Sequence, residues 1–546
     1  MIVEMSDNAA SSLSQYFGSP DDKRDQLDFA QELSDASSRI GGLKLDDNQR
    51  GADQNEPEVC RMFAESPPQP KDPTAAFFDL IGNSHVSAAS GIISDLGISS
   101  NDDGYSPRVA VGTEADRRRD AWIPGERTRQ SLIACATATP GTYCPDRDML
   151  TMPGVLLEEE LGDAVGEAVS MCLGEAEAAQ RRVLSASDVT QDERGLRELV
   201  QAGAYRAAIN LTARLLTIYG QGRGRAGHPS KHSPHSLQLW FTRIALLIKT
   251  KAYNIASSGS GAVRSARQTG PVLPVLSRDV RGRPGSIASF SFRLLLAELP
   301  MHCGKPKESL TKLFGMLATI SHMLGNLRQG LCEDGNPMGI GESDRADSLR
   351  LWNGREVRVM HSIINCALAL KDYELAMELL GQLCERDGAP KHCLLSALGR
   401  LHLQLGDVAG AEVCFNEAAE AKGGAPGVRE LVDRGLLSVS SEFLRRGLRG
   451  VSAGQHVGTH QYYAAILNNM GVCLLYGGHL KEAIAVLESA IASNPVHALH
   501  ESLLLNLCTL YDMESSKGRM KKFALLRQIS RYQADAPTTI LEKLYG

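Results

Sequence analysis

The sequence predicts an all-α protein, an α-solenoid of stacked helical hairpins preceded by a disordered acidic N-terminal tail. Three observations carry this prediction. Aromatic residues make up only 5% of the 546 residues, while Leu and Ala abound, a balance that favours packed helices over β-sandwiches. A helix–turn–helix pattern returns several times in the C-terminal part. Charge and composition change abruptly near residue 116.

Residues 1–116 carry 21 acidic and 8 basic side chains, so the chain's net charge of −6 leaves the other 430 residues with +7. Rich in Ser, Asp, Gly and Pro, the tail cannot bury enough apolar surface to offset the entropy of ordering it. Two apolar islands interrupt it, one at Leu13, Tyr16 and Phe17, the other at Phe77, Phe78, Leu80 and Ile81. Flanked by acids, they are either docking motifs or residual hydrophobicity with no partner. The mild positive excess of the remainder does not suggest nucleic-acid binding.

Residues 117–185 read as a helical lead-in that holds Trp122 and turns helical after Pro124. The run Arg117-Arg118-Arg119 reads as a solvated helix start rather than a nuclear signal or phosphate contact. Residues 186–348 read as degenerate hairpins with long loops. Ala208, Thr212 and Leu215 have second-helix spacing, and Trp240 and Ile244 lie one turn apart on a first helix. A further pair follows, whose first helix Pro300 should kink or end. Loops are expected at 220–236, 257–289 and near 333–347, from their Gly, Ser, Pro and Arg content.

Residues 349–546 read as tetratricopeptide repeats with C-terminal capping helices. In 464–495, Leu467, Met470, Leu474 and Leu475 and then Leu480, Ile484, Leu487 and Ile491 recur at helical spacing. Gly477-Gly478 breaks the run and Asn494-Pro495 closes it. The order of Gly471, turn, Ala483, Leu487, Ala490 and Pro495 is the tetratricopeptide pattern, with a period of roughly 34 residues. Gly399 precedes Ala411 by 12 positions, as Gly471 precedes Ala483, and Phe415 follows as Leu487 does. Ile364, Ala376, Leu380 and Leu383 repeat the frame once more. The three starts, 357, 392 and 464, lie 35 and 72 residues apart, which leaves room for one poorly patterned unit between the last two. The last two helical stretches are expected to cap the stack with a more polar face.

Candidate chemistry is thin. Gly222, Gly224 and Gly227 fit G-x-G-x-x-G, but a helix precedes them, where a dinucleotide site needs a strand. His228, His232 and His235 have metal-compatible spacing without a Cys or carboxylate to complete a shell, and read as a loop. The Asn210 sequon falls inside a helix. Twelve scattered cysteines, among them Cys366, Cys414 and Cys473 on apolar stripes, read as buried reduced thiols. No phosphate-binding loop, zinc-binding H-E-x-x-H pair or nucleophile elbow occurs in the sequence. No catalytic residue, cofactor or metal site is therefore expected, and the chain reads as no enzyme. There is no basic start followed by an apolar run, and no apolar stretch approaches the about 20 residues of a membrane span, so a soluble intracellular protein is expected.

Several stretches are more specific than a generic repeat: DRRRDAWIPGERTR (116–129), RLLTIYGQGRG (214–224), RPGSIASFSFRLLLAEL (283–299), LRLWNGREVRVM (349–360), NNMGVCLLYGGHLKE (468–482) and HALHESLLLNLCTLYDMESS (497–516). Through these the chain, over about 116–546, resembles the subunit-twelve family of the transport protein particle (TRAPP) complex. It departs from that family at 424–463, which lacks the Ala and aromatic pattern of a repeat, and at 257–280. The resemblance implies a non-catalytic subunit of the TRAPP III vesicle tether between endoplasmic reticulum and Golgi. It implies a cytoplasmic protein peripheral to the intermediate compartment and Golgi, clamping large subunits eight and eleven to the small-subunit core. The link to a Rab GTPase would be indirect, with no nucleic acid and no membrane insertion. The other reading is a stand-alone tetratricopeptide adaptor or cochaperone for a short peptide.

The first helices of such a stack line an inner groove. Their recurring face gives His361 and Asn365, then Ser396, Arg400 and Gln404, then Asn468 and Tyr476. This row is expected to hold a partner segment, unless it is solvated and binding uses the convex side or the cap. Replacing Asn365, Arg400 and Asn468 together is expected to weaken partner capture without unfolding the stack.

Overall fold

The computed structural model describes residues 121–123, 155, 157, 159–225, 234–264, 288–337, 341–423, 428–440, 460–514 and 518–545. The acidic tail, both aromatic islands, Arg117–Arg119, Cys135, Cys144, His228 and His232 lie outside these residues. The helices are α1 (Ala164–Leu173), α2 (Glu175–Ala178), α3 (Glu193–Gln201), α4 (Tyr205–Ile218), α5 (Pro234–Lys249), α6 (Tyr253–Arg264), α7 (Phe290–His302), α8 (Pro306–Arg328), α9 (Glu342–Leu370) and α10 (Tyr373–Cys384). They continue with α11 (Lys391–Gln404), α12 (Val408–Lys422), α13 (Val428–Ser440), α14 (His460–Tyr476), α15 (Leu480–Ser493), α16 (Pro495–Ala498), α17 (Glu501–Met513), α18 (Gly518–Tyr532) and α19 (Thr538–Tyr545). Among the described residues there is no strand; Val155 and Arg223 form an isolated parallel bridge. The fold is the expected all-α solenoid.

One turn builds the hairpins. Gly203, Lys251, Gly304, Lys371, Gly406 and Gly478 all have φ between 60° and 82°, and each stands two residues before a second helix. A left-handed residue reverses the chain at low cost when it is glycine and at some strain otherwise. The six turns mark the hairpins α3–α4, α5–α6, α7–α8, α9–α10, α11–α12 and α14–α15. In two of them an aspartate follows the left-handed residue and caps the second helix: Asp372 accepts from Leu375 N and Asp407 from Gly410 N. From α3 to α16 each helix packs on the next and, at α5/α7, α7/α9, α11/α13 and α15/α17, on the one after, which is how a stack of antiparallel hairpins meets.

The small–large pattern is a packing device. A methyl group on Gly399 would lie 2.5 Å from Phe415 Cε1, and one on Gly471 would lie 2.9 Å from Leu487 Cδ2. In both units the large residue follows the glycine by 16 positions, and Ile364 stands in the same relation to Leu380. Ile364, Ala376, Ala411, Phe415, Ala483 and Leu487 are all buried. Pro495 begins the short α16 after α15 has ended at Ser493.

The first and the last described helices meet. Val165, Ala168 and Val169 of α1 share one apolar cluster with α15, α17, α18 and α19. Arg181, only 2% exposed, pairs with Asp163 at 2.6 Å and donates to the carbonyls of Ser530, Gln533 and Ala534 at 2.7, 2.8 and 2.5 Å. Arg206 pairs with Asp535, and Lys251 with Glu501. The C-terminal helices therefore bury an apolar face against α1. The lead-in covers them, because α1 brings an apolar stripe that needs burial.

Loop limits also differ from composition. Residues 257–264 continue α6, where buried Ala256 and half-buried Ile255 pack on the core, so tertiary contact overrides the Gly/Ser-rich sequence. Residues 342–347 open α9, whose first turn holds Glu342 and Asp344, charges suited to a helix N-terminus. Pro234 opens α5, where its missing N–H costs nothing. Pro300 sits in the last turn of α7, which runs two residues past it. Of residues 424–463, 428–440 form α13 and 460–463 begin α14.

Candidate functional site

The predicted row occupies three successive turns of the first helices. With repeat offsets of 35 and 72, His361, Ser396 and Asn468 are equivalent, Asn365 aligns with Arg400, and Ala369 with Gln404 and Tyr476. Burial divides them by turn. His361, Ser396 and Asn468 are at most 1% exposed, Asn365 is half-buried and Arg400 buried, whereas Gln404 is exposed and Tyr476 is 66% exposed.

The buried members bind neighbouring first helices. Ser396 Oγ donates to Asp433 Oδ2 at 2.6 Å, and Arg400 Nε to Asp433 Oδ1 at 2.8 Å, joining α11 to α13 with both charges at most 4% exposed. Asn506 Nδ2 of α17 donates to Asn468 Oδ1 of α14 at 2.9 Å. One position over, Ser362 Oγ of α9 donates to Glu298 Oε1 of α7 at 2.5 Å. These contacts form a polar seam inside the solenoid. Burial pushes the Glu298 carboxyl up to about 7, against the smaller opposing effects of the Ser362 hydrogen bond and the Arg358 charge.

Among the described residues, His361 has no hydrogen-bond partner at either ring nitrogen, and Asn365 Nδ2 has none. Burial, with the Arg386 charge second, holds the His361 imidazole at about 3, so it is neutral. His302, stacked 5.4 Å from Tyr253, and His500 are held at about 4, chiefly by burial. Burial likewise pushes the thiols of Cys366, Cys393 and Cys508 to about 11. Thiols so protonated are poor nucleophiles.

The remaining candidates are absorbed into structure. His235 starts α5 and is bonded to Tyr219 and Glu193. Asn210 is buried and exchanges two 2.9 Å hydrogen bonds with the backbone of Leu161. Gly222 and Gly224 follow α4, and a methyl group on Gly222 would meet Thr217 Oγ1 at 2.1 Å. Trp240 Nε1 donates to Gln221 Oε1 at 2.8 Å. Among the described residues no group of three metal-capable side chains converges, and no helix is long and apolar enough to cross a membrane. The partners Asp433, Asn506 and Glu298 were not legible beforehand. A carboxylate or amide on a first helix carries no mark of which neighbour it will face.

Hairpins stacked on a polar seam, with exposed side chains at the turn edge, define a helical-repeat protein. No family model matches the chain. It is 38% identical over 454 residues to Trafficking protein particle complex subunit 12 of Homo sapiens, covering 81% of this chain and 60% of the human protein. The match to the Mus musculus protein of that name is 37% identical over 454 residues, 81% of this chain and 56% of the mouse protein. The chain is thus similar to subunit twelve, as its motifs indicate, and it spans less than two thirds of these curated relatives' length.

Proposed function

We propose that this chain is a non-catalytic scaffold subunit of a TRAPP-type vesicle tether in endoplasmic reticulum-to-Golgi trafficking. It joins large subunits of the eight and eleven type to the small-subunit core. The observation that carries this reading is the 38% identity, over 81% of the chain, to a protein named as a subunit of that complex. The solenoid supports it, since stacked hairpins offer an extended surface to several partners at once. The chain then works in the cytoplasm against Golgi-side membranes without inserting into them, and reaches a Rab GTPase only through the core.

The partner surface includes the exposed turn edge of the first helices, with Gln404 and Tyr476 in equivalent places and exposed Leu405 beside Gln404. Ser396, Arg400 and Asn468 support that edge from within. The triple replacement of Asn365, Arg400 and Asn468 is therefore the wrong test, because losing Arg400 strands a buried Asp433. The better variant is Gln404→Ala with Tyr476→Ala, at the two exposed positions of the row.

Affinity capture of the tagged chain from its own cells, read by mass spectrometry, tests the reading. Other TRAPP subunits should appear in near-equal amounts, and the double variant should recover fewer of them with unchanged melting. A chaperone or a single unrelated ligand captured alone would overturn it in favour of a stand-alone adaptor. The contact of α1 with the C-terminal helices favours that second reading to this extent: the solenoid covers its own C-terminal apolar face.

A further inference from the structure

The lead-in reaches the repeat array at a point that the polar seam does not use. Ala121, Trp122 and Ile123 are non-helical and lie against α7 and α9. Trp122 is 4% exposed, its ring 6.4 Å from that of Trp352 and tilted 44° to it, and the Arg293 guanidinium carbon stands 4.7 Å over its centre. Phe290 meets Trp352 edge-on at 6.4 Å. The Arg355 guanidinium carbon lies 4.5 Å over Trp352 and 4.8 Å over Phe290. All five side chains are at most 8% exposed, and Ala121 and Ile123 pack half-buried on the same apolar cluster.

An ordinary core tryptophan is delivered by its own helix, as Trp240 is by α5, with its N–H bonded. Trp122 differs. It comes on non-helical residues, 171 positions before Arg293 and 230 before Trp352, and it meets the Trp352 ring and the Arg293 guanidinium. A guanidinium over an indole, away from water, is a strong and face-specific attraction. Side chains so arranged recognise an aromatic anchor on a peptide strand, much as partner surfaces concentrate their hold in Trp and Arg.

We propose that Phe290, Arg293, Trp352 and Arg355 form a recognition pocket for tryptophan on an extended peptide, and that residues 121–123 occupy it as a tethered ligand. The tether gives this strand a high local concentration, so a tryptophan-bearing segment of another protein gains the pocket only by displacing it. The inference does not depend on membership of the tethering complex.

The test uses a fluorescent peptide of residues 116–129 and the full chain, read by anisotropy. The Trp122→Ala chain should bind the peptide saturably, with Kd on the order of 10–100 μM. The unaltered chain should bind it at least about tenfold more weakly. A peptide with alanine for tryptophan should lose binding, and so should the Trp122→Ala, Arg355→Met chain. A Trp122→Ala chain with unchanged circular dichroism and melting that ignores the peptide would overturn the proposal. Equal binding of the alanine peptide would do the same. Should Trp122→Ala not fold, a protease site placed between 141 and 149 of the otherwise unaltered chain gives a second measurement. After cleavage the N-terminal fragment should co-elute with the remainder and be released by excess peptide. A fragment that falls away at once, or that excess peptide cannot release, refutes the pocket.

Discussion

Replacing Arg181 by methionine keeps most of the side chain's length and apolar stem while removing the guanidinium that ties the lead-in to the last helices. Arg181 is 2% exposed, and its Nη atoms donate to three carbonyls at or just beyond the end of α18 while Nε and Nη2 hold Asp163. Hydrogen bonds involving a charged group contribute roughly 1.5–3 kcal/mol each, so a simple sum over three carbonyls would reach about 9 kcal/mol at the top of that range. That sum overshoots. Asp163 is 36% exposed and can be rehydrated, it still caps α1 through Val165 N, and water can reach some of the freed carbonyls. Water returns part of that sum, which leaves an expected cost of about 3–5 kcal/mol, most of it from the stranded carbonyls. Native-state hydrogen exchange reads it by region. Protection should fall in 164–173 and 518–545 and remain unchanged in 290–384, which belongs to the other apolar cluster. Lysine should not rescue, since one ammonium cannot span the same set of acceptors. A loss below about 1 kcal/mol, or one spread evenly over the chain, would refute the idea that Arg181 ties the lead-in to the last helices.

Three further outcomes follow from the packing. Gly399→Ala drives a methyl group into the Phe415 ring and should cost about 1–3 kcal/mol by thermal melting, with Phe415→Leu restoring part of it; an unchanged melt would contradict the contact. Arg400→Met should cost about 3–5 kcal/mol in urea unfolding, whereas the same change combined with Asp433→Leu should be far milder, and additive costs would argue against a coupled pair. His361 is neutral when folded, at about 3, and ordinary when unfolded, so its contribution worsens as pH falls below about 6.5 and levels off only near 3. Between pH 7.5 and 5.5 the native chain should therefore lose about 1.4 kcal/mol more than His361→Leu, and parallel pH profiles would sink the argument. Glu298 titrates in the opposite sense, gaining stability as pH falls through about 7, but it is common to both proteins and cancels in the difference.

By itself the sequence determined the helices, the hairpin frame and the small–large pairs. Each of these is local. Gly399 and Phe415 are 16 residues apart, and the turn at Gly406 needs nothing beyond its own neighbours. Helical periodicity shows which face of a segment is buried, and composition shows where regularity falters, though 257–264 stayed helical through packing that composition does not record. The motifs quoted from 116 to 516 also sufficed to point to relatives named subunit twelve.

Only the tertiary structure decided what covers each face. The polar positions His361, Ser396, Arg400 and Asn468 fall where a groove row would fall, yet they are buried, because a first helix in a superhelical stack also meets the first helices beside it. Asp433 and Asn506 supply the bonds 37 and 38 positions away, at distances no helical period encodes. Arg181 finds its acceptors some 350 positions further along, and Trp122 its pocket 171 and 230 positions further. Periodic patterns fix how a chain folds on its own neighbours. The contact of α1 with the last helices and the seating of a single indole depend on how small rotations accumulate from hairpin to hairpin, and that sum exists only in the assembled solenoid.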